Sequence, residues 1–136
     1  VIQAHADAVL DLLRAAPGSP GLTVYPDDAG VTPSGVTAPY VRVYIAVERQ
    51  DGTDLSGQSD LATCRVYAHS VGANDVAARA VAERVADALL DVVPVVADRA
   101  CWPIRHEANL PPRRDESIGV MFITQSDTYV YSSVPA

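Results

Sequence analysis

Lysine is absent. All ten basic residues of this 136-residue chain are arginine, set against 17 Asp and Glu, for a net charge of −7 at pH 7. That balance argues against general affinity for nucleic-acid phosphate, which needs clustered Lys and Arg. It also argues against adhesion to an anionic membrane surface. Cysteine is scarce: Cys64 and Cys101 stand alone and far apart. In such a chain they read as buried thiols, not as a disulfide framework or a redox pair. No apolar run approaches the length of about 20 residues that crosses a bilayer. The opening VIQAHADAVLDLL lacks a basic n-region and carries Asp7 and Asp11, so it does not read as a secretory signal. The common active-site signatures are missing too. No G-x-S-x-G elbow, Walker loop or G-x-G-x-x-G is present. The acidic stretch holding Asp51, Asp54 and Asp60 does not follow the EF-hand pattern. No catalytic residue, cofactor site, cofactor or metal ligand is expected.

What is present suits one domain. The chain is 49% hydrophobic, enough for a real core. Ile2 to Ala16 follows helical spacing, with Ile2, Ala6, Val9, Leu12, Leu13 and Ala16 on one face. Leu22 to Tyr25 suits a short strand. Tyr40 to Arg49 alternates strictly, with Val41, Val43, Ile45 and Val47 on the side expected to be core. A polar hairpin loop, Gln50 to Asp60, leads to a return strand from Leu61 to Ser70. ANDVAARAVAERVADALLDVV predicts a second helix, capped by Asn74 or Asp75 and ended by Pro94. Its apolar stripe includes Ala78, Val81, Val85 and Leu89, while Val76 and Leu90 fall on the polar side. Val95 to Ala108 suits a short strand around Trp102 and Ile104. Asn109 to Ser117 reads as a polar turn. Ile118 to Gln125 and Thr128 to Ser133 read as two strands joined at Gln125-Ser126-Asp127. The order α-β-β-α-β-β-β predicts an α+β fold, a mainly antiparallel sheet with both helices on one face.

The histidines give no catalytic constellation. His5 falls on the apolar face of the first helix, where a core histidine with a local hydrogen bond is the expected role. His69 suits a surface or interface position. His106 and Glu107 are neighbours on an extended stretch and so point apart, which disfavours an acid–base couple. Cys64 and His69 differ in strand parity, as do Cys101 and His106. What remains is interaction surface. Tyr40, Arg42 and Tyr44 share one side of the first long strand, and Arg65 and Tyr67 share one side of the next. These residue types are enriched at interfaces. Whether the two sets share one side of the sheet depends on strand register. The charge cluster Arg113-Arg114-Asp115-Glu116 is a candidate intersubunit salt-bridge patch.

The layout is similar to a known family. A first helix precedes VYPDDA and a loop; then come PYVRVYIAVE, ATCRVYAHS, the helix DVAARAVAERVADALLD and the closing MFITQSDTYVY. From Ile2 to Ser133 this order and the Pro-Tyr strand entry resemble the tail-terminator (tail-completion, minor tail) proteins of long-tailed bacteriophages. A Lys-free chain rich in Ala, Val, Arg and Asp also suits a phage of a GC-rich host. The resemblance implies a structural virion protein with no enzymatic activity. It would form a hexameric ring at the head-proximal end of the tail, after a stay in the host cytoplasm during assembly. Such a ring caps the tail tube protein, stops elongation and presents a surface to head-completion proteins. Genomic DNA would pass through the lumen without specific binding. Asp51, Asp54 and Asp60 are then candidates for a loop facing the lumen or a partner. Two alternatives remain at this point. One is another head–tail connector or adaptor ring. The other is a small α+β enzyme or ligand-binding module with Arg105, His106 and Glu107 around a pocket near Trp102.

Overall fold

The computed structural model describes residues 2–16, 21–26, 39–50, 61–115 and 122–136. The fold is α+β, as the pattern predicts. Helix α1 (Ile2–Arg14) buries His5, Val9, Leu10 and Leu13. Strand β1 (Val24–Pro26) pairs in parallel with the start of β2 (Tyr40–Gln50), from Val24↔Val41 to Pro26↔Val43. β2 runs antiparallel to β3 (Leu61–Gly72), with Tyr40↔Val71 at one end and Gln50↔Leu61 at the other. Helix α2 (Asp75–Leu89) follows at once. The Asn74 side chain accepts from Ala77 N–H at 2.8 Å, satisfying one of the free donors of the first turn. The end of β3 and this first turn nearly touch. A Cβ on Gly72 would lie 2.4 Å from Ala78 N and 2.7 Å from Ala77 C.

Helix α2 stops at Leu89, ahead of the expected stop at Pro94. Asp91 adopts a left-handed conformation with φ 62° and gives its N–H to Ile104 O at 2.9 Å. Left-handed residues commonly close helices, and a partner outside the helix holds this one in place.

The last third of the chain departs from the expected layout. β4 (Arg99–Cys101) and β5 (Arg105–Asp115) lie end to end along one edge of β6 (Phe122–Pro135), whose other edge pairs with β3. The stretch from Asn109 to Asp115 is therefore strand, not turn. Pro111 and Pro112 are tolerated because β5 is an edge strand with a register shift between Leu110 and Arg113. The two expected final strands are one. Gln125-Ser126-Asp127 sits in mid-strand, where Ser126 Oγ meets His69 Nδ1 at 2.9 Å and Asp127 Oδ1 meets His106 Nε2 at 3.1 Å. Neighbouring histidines meet the side-chain polarity that suggested a turn.

The sheet order is β1-β2-β3-β6-β4, with β5 beside β4 on β6. Ala62, Cys64, Val66, Ala68 and Ser70 of β3 are buried beneath the helices, while the residues between them are half-exposed. Leu13, Leu89 and Tyr129 anchor this core. Each buried leucine contributes about 2 kcal/mol relative to an exposed one. One polar cluster penetrates it. His5 is fully buried and its Nε2 lies 2.8 Å from Ser133 Oγ. Arg99 Nε donates to the same Ser133 oxygen at 2.8 Å, and Arg99 Nη2 donates to Ser133 O at 3.0 Å. Tyr131 stacks on His5 with ring centroids 5.9 Å apart.

Burial also sets the alkaline limit of the fold. It pushes the Cys64 thiol up to about 11, with Cys101 adding to the rise. Burial pushes the Tyr129 phenol up to about 12, aided by the charges of Asp127 and Asp87. Tyr131 is raised as well, again chiefly by burial. An acid with a raised folded pKa keeps its proton in the folded chain longer than in the unfolded one. The unfolded chain therefore binds fewer protons above about pH 9, and stability falls as pH rises. The fold should lose stability from about pH 9 as Cys64 titrates, with Tyr129 and Tyr131 adding to the loss from about pH 10, by up to roughly 1.4 kcal/mol per pH unit for each group within its own window. Urea midpoints across that range would test this. A flat profile to pH 11 would contradict the burial of these groups.

Candidate interaction surface

Helices cover one side of the sheet; among the described residues, none covers the other. The register answers the question left by the alternating strands. Arg42 lies opposite His69, Tyr44 opposite Tyr67, and Ala46 opposite Arg65. Opposed residues project to the same side, so Arg42, Tyr44, Arg65 and Tyr67 share the open face. The Tyr44 and Tyr67 rings meet with centroids 5.8 Å apart. β6 continues the face with Ser126, Thr128, Val130 and Ser132, and β5 adds Arg105, Ala108, Leu110 and Arg113.

Tyr40 belongs elsewhere. It is only 2% exposed, edge-on to Tyr25 at 5.7 Å and to Phe122 at 6.5 Å. Within this chain it is a packing residue and presents no free surface, because the short parallel strand and the start of β6 close over it. Arg113 is exposed on the open face opposite Thr124. Arg114 and Asp115 continue β5 opposite Ile123 and Phe122. Glu116, Asp51, Asp54 and Asp60 lie outside the described residues.

Arg65 is the centre of the face. Its Nη1 lies 3.4 Å from Glu48 Oε2 and its Nε 3.3 Å from Glu107 Oε2, tying β2, β3 and β5 together. These groups are well exposed, so each pair adds little stability. Their effect is to hold the guanidinium in place. Arg105 pairs with Asp91 just beyond α2. Between these charges the small side chains of β6 leave a trough with two depressions. One, of about 400 Å3, is bordered by Leu61, Trp102, Arg105 and Val130. The other, of about 240 Å3, is bordered by Tyr67, Ala108 and Leu110. Trp102 and Leu110 are each 51% exposed. Simple alternation would have set Leu110 and Arg113 on opposite sides, and the register shift at Pro111-Pro112 is what brings both to this face.

The residues of the enzyme alternative do not converge. Arg105 borders the Trp102 depression, whereas His106 turns to the helix side to meet Asp127, with Tyr129 edge-on at 5.3 Å. Glu107 is drawn to Arg65. Cys64 and Cys101 are both free thiols. Among the described residues no His, Cys, Asp and Glu cluster is arranged to hold a metal ion, and no helix is long and apolar enough to cross a membrane.

Comparison with known proteins gives a likeness of fold. No protein-family model matches the sequence, and no curated protein does so at a significant level. Among solved structures, the chain is similar to one from the virion of a native gene transfer agent particle. That match has a TM-score of 0.63 and 23% identity, over 96% of this chain and 93% of that one. A second solved chain matches with a TM-score of 0.60 and 20% identity, over 98% of this chain and 95% of that one. The class is thus an α+β domain with one helix-covered and one open sheet face.

Proposed function

We propose that this protein is a structural component of a phage-type virion, acting as a tail terminator. Six copies form a ring at the head-proximal end of the tail tube, stop its elongation and offer the surface on which head-completion proteins dock. It works without catalysis. The observation that carries this reading is the end-to-end fold likeness to a gene transfer agent virion chain. The open face supports it, since a ring needs two unlike surfaces that repeat until closure. The net charge of −7 suits a lumen that repels DNA phosphate, so that the genome slides without sticking. In this reading Asp51, Asp54 and Asp60 face the lumen or a neighbouring ring. Arg113, Arg114, Asp115 and Glu116 help to join adjacent subunits.

Electron microscopy of the purified protein mixed with its tube protein tests the proposal. Six-fold rings on the ends of tubes of limited length are the expected result. Tubes that grow without caps would overturn it.

A further inference from the structure

The two edges of the sheet are finished differently. On one side β4 is three residues long, and β5 carries Pro111-Pro112 and two register shifts. Just ahead of β5, Ile104 gives its N–H to Val92 O and accepts from Asp91 N–H. Such features keep an edge from pairing. β2 forms the other edge, where β1 covers only Val41 to Val43. From Tyr44 to Gln50 the sequence YIAVERQ holds no proline, and its pairing with β3 shows no register shift. No described strand lies along its outer side. The direction of the outer backbone groups is fixed. Val41 gives its N–H to Thr23 O, on the β1 side, at 3.0 Å. Backbone groups alternate between the two edges of a strand, so Ile45 and Val47 also turn N–H and C=O outward. Their side chains face the helices yet stay half-exposed. An apolar groove of about 370 Å3 runs beside them, bordered by Ile2, Ala6, Leu10 and Ile45.

We infer that this edge pairs with the same edge of a second copy, antiparallel about a two-fold axis through Val47. The other edge of a second copy is closed, so β2 is the strand that it offers. Backbone direction, β1 and charge select the register. Both strands turn odd-numbered residues outward, so the axis passes through a residue and not between two. An axis through Ala46 would set Arg49 of one copy opposite Val43 of the other, in the lane that Pro26 holds. An axis through Glu48 would set glutamate on glutamate. Through Val47, valine meets valine, Ala46 meets Glu48 and Ile45 meets Arg49, with no like charges opposed. The incoming strand also walls the groove beside Ile45. The pairing is short and buries less than about 1,200 Å2, which makes the association weak and reversible. It is isologous, and so separate from the head-to-tail contact of a ring. It goes beyond the ring reading and stands without it.

Val47→Pro tests the pairing. The substitution removes one outward N–H and leaves the β2–β3 ladder whole, because the backbone groups of Val47 face away from β3. In sedimentation velocity, at concentrations where the wild type is paired, the variant should halve the particle mass. That holds whether the unit that pairs is one chain or a ring of chains. Pairing should weaken at least tenfold, with circular dichroism unchanged. Hydrogen exchange on the wild type gives a second reading that does not depend on the variant folding. The Val47 amide should be protected in concentrated protein and lose at least tenfold of that protection on dilution. The amides of Ala46 and Glu48, turned toward β3, should stay slow throughout. A folded variant that keeps the wild-type mass overturns the inference. So does a Val47 amide that exchanges at one rate at every concentration. Protection that appears only when the tube protein is added gives the edge to a foreign strand and overturns it too.

Discussion

Replacing Gly72 with alanine should destabilise the protein by about 3 kcal/mol, the upper end of what overpacking costs, and lower its melting temperature by about 10 °C. The added Cβ would meet Ala78 N at 2.4 Å and Ala77 C at 2.7 Å, which are backbone atoms of the first turn of α2. A flexible side chain could swing aside; backbone cannot. Relief requires α2 to lift from the end of β3, and that also disturbs the Asn74 cap and the burial of Ala78 and Val81. Gly21→Ala is the control, because nothing lies within 4 Å of its Cβ position. Thermal melts of the two variants should separate clearly. Equal melting would mean that the strand end and the helix are not so close.

The second large effect is expected at Ser133. Its hydroxyl accepts from Arg99 Nε and sits 2.8 Å from His5 Nε2, with no solvent exposure. An arginine Nε can only donate, and the serine oxygen keeps a second acceptor site and its own hydrogen, so the direction of its bond to His5 Nε2 is set by the imidazole tautomer. Ser133→Ala removes both interactions and should cost about 2–4 kcal/mol, because buried polar partners are left poorly satisfied. His5→Phe in the same background should recover part of that loss, since the orphaned ring nitrogen disappears. A double-mutant cycle by urea denaturation measures the coupling, expected to be about 1 kcal/mol or more. Simple additivity would show that His5 and Ser133 do not share one network.

The sequence carried the strongly periodic parts of the fold and lost the polar ones. The valine alternation of β2, the stripe of α2 and the Asn74 cap lay in local pattern, where side-chain period and capping chemistry act over a few residues. β5 and the middle of β6 did not. Pro111-Pro112 and Gln125-Ser126-Asp127 carry turn chemistry, and that local preference yields only to partners distant in sequence. His69 and His106 lie 57 and 21 residues from the groups that they engage. The same limit governs the surface. Arg42, Tyr44, Arg65 and Tyr67 were visible as residue types. Their common side followed only from the register, and Tyr40 was lost to the core through rings on β1 and β6. Leu110 joined the face because β5 continues where a turn was expected. Val76 and Leu90, unusual on a free helix surface, are exposed as their place on the polar side predicts.

β6 also dictates the order in which the chain can become whole. β3, β4 and β5 all pair with it, and α1 reaches it through a hydrogen bond between residues 128 positions apart. It is the last of the described strands. During synthesis the first helix, both long hairpin strands and α2 must therefore wait, with one edge of β3 unsatisfied, until β6 leaves the ribosome. Folding governed by such distant pairings is slow, since loop closure precedes its reward. An open strand edge is in the meantime a template for wrong partners. The open sheet face is itself built on β6. A nascent chain thus has no completed open face, and the step that finishes the sheet also finishes the surface through which the chain is proposed to assemble.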